Sequence, residues 1–413
     1  MNKRHKLFVC LGAALVLSLG LFFAACTPQS QSGSSTSSTS STPAVEIPDP
    51  NENGVITAAQ WKDIYPDIYD SFQMNAANTA RESYLDMDPF LRTIYDGTGF
   101  AKAYDTAIGH PYTLTDVFNT ARPHALANCL TCKTPELTTL VNTEGIGIYS
   151  TPFEEVYARV SEPISCYSCH ANTAGELVPT SQFLLNSLGA DASKVALQDQ
   201  VCGQCHNEYY FDPETKEVKL PWRGLAAMTP DAILQYYNDM GFKDFTNSIS
   251  GADMIKVQHP EIETVLGAGS KVPQMGFTCA DCHMGTTTDS NGEDMTSHNL
   301  ISPLRNRELI ESTCSSCHAD IASEVAAIQK TVVAREREIG EKLARLTTMI
   351  GDAAANGTKT EEELAALRLQ LRNAQFYWDF CYVENSEGAH NSALAKYLLD
   401  KAESIVDEAL ATF

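Results

Sequence analysis

Five cysteine pairs, each with two residues between the cysteines, constrain this 413-residue chain more than any other feature. Four of the pairs are followed directly by histidine, and the first is followed by lysine. Cys-x-x-Cys-His attaches a c-type haem through two thioether bonds, and the next residue supplies an axial ligand to the iron. The sequence therefore predicts five covalently bound haems, at Cys129-Leu-Thr-Cys132-Lys133, Cys166-Tyr-Ser-Cys169-His170, Cys202-Gly-Gln-Cys205-His206, Cys279-Ala-Asp-Cys282-His283 and Cys314-Ser-Ser-Cys317-His318.

Two other uses of paired cysteines compete with haem attachment. Ten cysteines in an exported protein can form disulfides, and four of the pairs can act as zinc knuckles. Neither alternative accounts for a histidine at the same position after four separate pairs. Of the other three cysteines, Cys10 and Cys26 lie near the N terminus, and we predict that Cys381 lies on a buried helix face.

Lys133 departs from the pattern of the other four motifs. Lysine ligates iron only as the neutral amine, so metal binding must displace a proton whose free pKa is about 10.4. Such a ligand is poorly explained in a plain electron carrier. It is well explained at a haem whose opposite face is left open for substrate. The alternative is a degenerate motif that has lost its histidine.

The N terminus has the features of an export signal. Three basic residues precede an apolar run over 7–23, which is followed by Ala24-Ala25-Cys26. This arrangement predicts a secretory signal peptide over residues 1–25, with lipid added to Cys26. An uncleaved N-terminal membrane helix is the alternative, although the apolar run is short for a full span.

Residues 26–44 are dominated by serine and threonine and predict a lipidated, flexible tether. We assign residues 45–413 to one catalytic domain, held outside the cytoplasm on the cell membrane as a lipoprotein. Loss of residues 1–25 would remove three basic and no acidic residues, changing the net charge from −23 to −26. So acidic a chain is not expected to bind nucleic acid, because phosphate requires a basic face.

The apolar periodicity is mainly helical. Thr57-Ala-Ala-Gln60 resembles a capping box, and Thr229-Pro230 begins an apolar-periodic run that ends at Gly241. Two long helices are predicted over 319–349 and 360–383, with a loop at 352–357. The predicted fold is a mainly α multi-haem c-type cytochrome, with haems packed in the core, long C-terminal helices and few short strands.

One Cys-x-x-Cys-Lys motif followed by four Cys-x-x-Cys-His motifs resembles the penta-haem cytochrome c nitrite reductase family, which forms ammonia. The resemblance runs from about residue 95 to residue 391 and extends to the segments between the motifs. These segments are Thr115-Asp116-Val117 leading to Arg122, Cys205-His-Asn-Glu-Tyr-Tyr-Phe211, Lys256-Val-Gln-His-Pro-Glu261, and Trp378-Asp379 with Gly388-Ala-His-Asn391.

The resemblance implies roles for individual residues. It places active-site side chains at Arg122, Tyr209 and His259. It places the ligands of a calcium ion at Glu208, Tyr209, Lys256 and Gln258. From the residues alone, Arg122 could instead clamp a haem propionate, Tyr209 could be a packed aromatic, and His259 could be a distal haem ligand.

The resemblance also implies an activity, the six-electron reduction of nitrite to ammonium at an open, Lys133-ligated haem fed by four accessory haems. Arg122, together with a His259 that carries a proton near neutral pH, would form an anion pocket, and Tyr209 would add a polar contact. Two alternatives stay open. One is an electron-transfer cytochrome in which all haems are closed, and the other is a related multi-haem reductase acting on hydroxylamine, sulfite or tetrathionate.

The distal ligands follow from the same resemblance. His110 is assigned to the third haem, His298 to the second and His390 to the fourth. The family's distal histidine for the fifth haem lies shortly before the fourth motif, where residues 269–278 contain no histidine. Met275 is the predicted substitute, because thioether sulfur is a haem ligand that raises the potential. A core methionine beside an open fifth haem, or His124 reaching across, are the alternatives.

The partners implied by the resemblance are nitrite and a membrane-bound multi-haem quinol dehydrogenase as electron donor. The family forms homodimers through long C-terminal helices. Only 23 residues follow His390 in this chain, which is a short tail for that kind of contact.

Overall fold

The computed structural model describes residues 46–267 and 269–413. The predicted signal peptide over 1–25, the lipid site at Cys26 and the tether over 26–44 lie outside the described residues. Residues 47–413 form one folded unit, built mainly from helices.

Short helices occupy the first three quarters of the described chain. They are α1 Ala58–Trp61, α2 Pro66–Gln73, α3 Tyr84–Met87, α4 Leu91–Ile94, α5 Thr113–Asn119, α6 Pro135–Glu144, α7 Phe153–Tyr157, α8 Cys166–His170, α9 Gln182–Leu188, α10 Leu197–Gly203, α11 Pro230–Met240, α12 Cys279–His283 and α13 Arg307–Ser312. Single 3-10 turns also carry site residues, at His110–Tyr112, Ala127–Leu130, Pro273–Met275 and Cys314–Ser316.

The strands form three separate two-stranded antiparallel hairpins. These are β1 Tyr210–Phe211 with β2 Val218–Lys219, β3 Phe245–Thr246 with β4 Asp253–Met254, and β5 Thr286–Thr288 with β6 Asp294–Thr296. The predicted fold class, mainly α with few short strands, is confirmed.

Local capping chemistry explains several helix starts. The Thr57 hydroxyl accepts a hydrogen bond from the backbone N–H of Gln60 at 3.3 Å, and the Gln60 side chain accepts one from the Thr57 N–H at 2.9 Å. Thr360 and Glu363 form the same reciprocal pair at the start of a later helix. Both satisfy N–H groups that a helix leaves unpaired in its first turn.

Three long helices close the chain, α14 Ile321–Asn356, α15 Glu361–Tyr382 and α16 Ser392–Leu410. They pack on one another through buried side chains at helical spacing, among them Leu343, Leu346 and Ile350 on α14 and Leu398, Ala402 and Val406 on α16. None of the helices in the described part of the chain is long and apolar enough to cross a membrane.

The prediction of a loop at 352–357 is wrong, because α14 continues to Asn356 and, of these residues, only Gly357 lies outside the helix. The residues between Asp352 and Asn356 are alanines, which have the highest helix propensity, and Ala353 is buried against the neighbouring helices. Gly357 ends the helix in the left-handed region, at a φ of 63°, where glycine is the residue best tolerated.

Candidate active site

The five Cys-x-x-Cys motifs lie on short helical segments. The second and fourth motifs form α8 and α12, the third extends from the end of α10, and the first and fifth overlap 3-10 turns. The side chains of Cys132 and Cys205 lie next to each other, as do those of Cys202 and Cys279, so the third motif lies beside both the first and the fourth.

Three histidine pairs, each a motif histidine with its predicted distal histidine, have the ring separation of axial ligands on a shared metal, and the ring centre of His206 also lies 6.4 Å from that of His259. Imidazole nitrogens bind metals at about 2 Å, so two rings on opposite sides of one ion have centres roughly 6 Å apart. The ring centres are 6.2 Å apart for His110 and His206, 6.2 Å for His170 and His298, and 5.9 Å for His283 and His390. Each pair joins a motif histidine to the distal histidine assigned to it from the sequence, so these residues fit bis-histidine haems.

The Nδ1 atoms of several of these rings are held by hydrogen bonds within the protein. Backbone carbonyls lie 2.7 Å from Nδ1 of His170, 3.0 Å from Nδ1 of His298 and 3.0 Å from Nδ1 of His283. A carbonyl at Nδ1 fixes the tautomer and leaves Nε2 free to bind a metal.

The first motif is surrounded by the predicted active-site side chains. Burial raises the pKa of Tyr209 above its usual value, the neighbouring thiols of Cys132 and Cys129 raise it further, and the charge of Arg122 opposes them. The Arg122 guanidinium lies 4.5 Å from the centre of the Phe100 ring. A fixed cation and a half-buried phenol therefore share one site with the cysteines that would hold the first haem.

The protonation state favoured for His259 differs from the predicted one. The ring itself is exposed, but desolvation by the surrounding protein lowers its pKa to about 4, with Lys133 and His206 acting in the same direction and Glu261 opposing them. The sequence predicted a protonated ring near neutral pH, whereas this environment favours the neutral imidazole, which both donates and accepts a hydrogen bond.

A cluster of oxygen atoms lies next to this site. The carboxylate of Glu208 is fully buried and accepts hydrogen bonds from the Tyr237 hydroxyl at 2.8 Å and from the backbone N–H of Gln258 at 2.6 Å. The Gln258 side-chain amide lies 2.7 Å from the Lys256 carbonyl oxygen. Burial raises the pKa of Glu208 well above its usual value, and the carboxylates of Asp244 and Glu263 add to the effect.

A hard cation suits these oxygens. Calcium takes carboxylate, carbonyl and amide oxygens in flexible geometry, and the oxygen and nitrogen of an amide can exchange places by rotation. Among the described residues, no group of three or more His, Cys, Asp or Glu side chains is placed to hold a metal. A cation here would therefore depend on the backbone and amide oxygens of Lys256 and Gln258 as well as on Glu208.

The sequence model of the cytochrome c552 family matches residues 57–412. The chain belongs to that family, the penta-haem cytochrome c nitrite reductases that form ammonia. It is therefore an oxidoreductase with c-type haems, and these predictions from the sequence are confirmed.

Solved structures of multi-haem cytochromes resemble the chain. The catalytic subunit of cytochrome c nitrite reductase from Desulfovibrio desulfuricans, described with two calcium sites, is 25% identical with a TM-score of 0.78, over 87% of this chain and 86% of that one. The outer cell wall cytochrome OcwA is 19% identical, with a TM-score of 0.40, over 72% and 48% of the two chains. An undecahaem S-layer cytochrome from Carboxydothermus ferrireducens is 18% identical, with a TM-score of 0.37, over 74% and 41%.

The sequence did not predict a buried ion pair that lies beside the candidate active site of this cytochrome c552 family member. The Lys256 ammonium lies 3.1 Å from the carboxylate of Asp379, with 3% and 0% of the two side chains exposed. The rings of Tyr95, Phe100 and Tyr104 surround the ammonium, with centres 5.0, 5.2 and 5.6 Å away. A charged residue at 379 inside an otherwise apolar, aromatic stretch of α15 was the available signal, because buried carboxylates require partners.

The two candidate distal ligands of the fifth haem, Met275 and His124, lie in different surroundings. Met275 ends a 3-10 turn, and 63% of its surface is exposed. His124 has Nδ1 3.0 Å from the Arg122 carbonyl oxygen and its ring centre 4.3 Å from that of Phe153. His124 therefore packs beside the first motif. The ligation of the fifth haem by Met275 stays a prediction.

Proposed function

We propose that this chain reduces nitrite to ammonium, with six electrons, at a haem attached to Cys129 and Cys132 and ligated by Lys133. The observation that carries the proposal is that Arg122 and Tyr209 lie close to the cysteines of the first motif and that His259 lies close to Lys133. A closed electron-transfer haem has no use for this grouping.

The side chains have complementary tasks at such a site. When bound, the haem supplies the iron that takes nitrite and delivers the electrons. Arg122 carries a fixed positive charge that attracts the anion. Burial keeps Tyr209 protonated, so its hydroxyl donates a hydrogen bond. His259, as a neutral imidazole, can also donate a hydrogen bond to an oxygen atom as the N–O bond breaks.

The remaining four haems would store and conduct electrons. The three histidine pairs would close the second, third and fourth haems on both faces, which leaves no position for substrate. The contacts between Cys132 and Cys205 and between Cys202 and Cys279 support a continuous path along the first, third and fourth motifs.

A calcium ion is proposed at Glu208, Tyr209, Lys256 and Gln258. Its support is the fully buried Glu208 carboxylate beside the Lys256 carbonyl and the Gln258 amide. Because Tyr209 follows Glu208 directly, a cation held here would also fix the position of the active-site phenol.

Location and partners are proposed on the sequence and the family. Lipid at Cys26 would hold the enzyme outside the cytoplasm, next to a membrane-bound multi-haem quinol dehydrogenase. Tethering would raise the effective concentration of the two proteins for one another. A homodimer through the C-terminal helices is the proposed assembly.

A steady-state assay tests the proposed activity. Purified holoprotein reduced by a low-potential dye should convert nitrite to ammonium quantitatively, consuming six reducing equivalents per nitrite. The same assay with hydroxylamine, sulfite and tetrathionate is the comparison. Turnover of sulfite or tetrathionate without ammonium formation from nitrite would favour the related reductases, and no turnover of any substrate would favour the pure electron carrier.

The Met275 ligand of the fifth haem can be tested by spectroscopy. The oxidised protein should show the weak near-infrared sulfur-to-iron charge-transfer band that a methionine-ligated haem produces, and Met275→Leu should abolish it. Met284→Leu is the matched control, because it removes a neighbouring thioether next to the fourth motif. A spectrum without this band, unchanged by Met275→Leu, would exclude Met275 as the ligand.

A further inference from the structure

The loop that joins α15 to α16 holds one of the axial histidines through a buried carboxylate. Oε1 of Glu384 lies 2.6 Å from Nδ1 of His390, and only 5% of the Glu384 side chain is exposed. Oε2 of the same carboxylate accepts a hydrogen bond from the Ser386 hydroxyl at 2.5 Å. The Ser386 hydroxyl in turn accepts the backbone N–H of His390 at 2.9 Å. Glu384, Ser386 and His390 therefore form a closed, rigid turn.

The turn is fixed against α14. Gly388 has a φ of 86°, in the left-handed region, and a Cβ atom placed there would lie 2.8 Å from a methyl group of Val332 on α14. Glycine is therefore required for this close approach. The loop that carries Glu384 and His390 is therefore packed closely against α14.

The other histidines differ in the partner of Nδ1. His170, His298 and His283 bond to backbone carbonyls. His318 bonds to the carboxylate of Glu324 at 2.8 Å, but half of that carboxylate side chain is exposed. Water around the exposed pair weakens its field, whereas the field of Glu384 acts through the low dielectric of the interior.

The same loop also reaches the third motif. The side-chain amide of Asn385 donates a hydrogen bond to Glu261. Oε2 of Glu261 lies 3.7 Å from Nδ1 of His206, which is an ionic contact rather than a hydrogen bond. Two buried carboxylates, joined through Asn385, thus lie behind axial histidines of adjacent motifs. Of the two, Glu384 has the shorter contact.

We propose that Glu384 is a positioning residue that lowers the reduction potential of the haem held between His283 and His390. A hydrogen bond from Nδ1–H to a carboxylate makes the imidazole a stronger electron donor to the iron. Stronger electron donation to the iron stabilises the ferric over the ferrous state. The negative charge of the carboxylate acts in the same direction. The inference rests on the proposed function, because it requires that His390 be an axial ligand.

The consequence concerns the haem between His283 and His390. Its potential would lie below the value that the same two ligands give without the carboxylate, so this haem would pass its electrons on more readily.

The test is a spectroelectrochemical titration of the full holoprotein carrying Glu384→Gln. Glutamine keeps the size and an acceptor oxygen but removes the charge, so the turn should stay folded. We expect the ferrous-to-ferric ratio of the affected haem, at a fixed applied potential, to rise about tenfold, which for one electron is an upward shift of ~59 mV. The control is Glu387→Gln, which removes an exposed charge from the same loop and should change the ratio less than twofold.

A second variant distinguishes the assignment of His390 as an axial ligand from the proposed role of Glu384. His390→Ala should convert one low-spin haem signal in the electron paramagnetic resonance spectrum to high spin, and that signal identifies the haem to follow in the titration. If His390→Ala leaves every low-spin signal in place, the ligand assignment in the proposed function fails and the role of Glu384 fails with it. If His390→Ala removes one signal but Glu384→Gln leaves the corresponding potential unchanged, the role of Glu384 alone is overturned.

Discussion

Arg122→Gln is expected to lower kcat for nitrite reduction by about 10²–10³, the usual cost of removing one preorganised charged donor from a reaction site. The structure makes this variant easy to interpret. The Arg122 guanidinium contacts the Thr120 hydroxyl at 3.4 Å and the face of the Phe100 ring, and it makes no buried ion pair in the described structure. Its removal leaves no buried charge without a partner, so a loss of activity reports on the reaction itself.

Steady-state kinetics, together with the haem absorption spectrum, provide the measurement. The matched control is Arg81→Gln, which removes a surface arginine that pairs with Asp116 on α5. This control should change kcat by no more than a few-fold. Full activity in Arg122→Gln, combined with an altered haem spectrum, would instead identify Arg122 as a clamp on a haem propionate.

Asp379→Ala is expected to lower the free energy of unfolding by about 3–5 kcal/mol, because it leaves a buried charge without its partner. The Asp379 carboxylate accepts hydrogen bonds from the Lys256 ammonium, from the Tyr95 hydroxyl at 2.5 Å and from the backbone N–H of Val257 at 3.0 Å. Burial lowers the pKa of Lys256 and raises that of Asp379, and each group opposes the shift of the other. Guanidinium unfolding of the holoprotein, followed by far-ultraviolet circular dichroism, measures the loss.

Two further variants distinguish a lone buried charge from a general loss of packing. Asp86→Ala removes a carboxylate that is 76% exposed and paired with Arg92, and it should cost little. The double variant Lys256→Met/Asp379→Leu removes both charges and should recover part of the stability lost in Asp379→Ala. If the double variant is no more stable than Asp379→Ala, the unpaired ammonium is not the cause.

The ion pair also has a consequence for the site. Asp379 holds the backbone N–H of Val257, which directly precedes Gln258 and His259. The segment that carries a proposed calcium ligand and a proposed active-site histidine is thus attached to α15 through one carboxylate. Loss of this attachment in Asp379→Ala should reduce nitrite turnover even at temperatures where the protein remains folded.

The sequence by itself determined the features whose chemistry lies within a few neighbouring residues. Each Cys-x-x-Cys motif holds both cysteines and the next ligand within five consecutive residues, so haem attachment could be predicted without a fold. The capping boxes at Thr57 and Thr360 are equally local, because a side chain and an N–H three residues apart satisfy one another. The family followed from the order of these local motifs.

Only the tertiary structure decided which distant groups meet and how deeply they are buried. The partners Lys256 and Asp379 are 123 residues apart in the chain. The Glu208 carboxylate is fully buried, which residue order does not reveal. Glu384 is near His390 in sequence, but only the fold brings their loop against Val332 of α14 at Gly388. Electrostatic energies depend on distance and on local dielectric, and both quantities are set by packing between segments that are far apart in sequence.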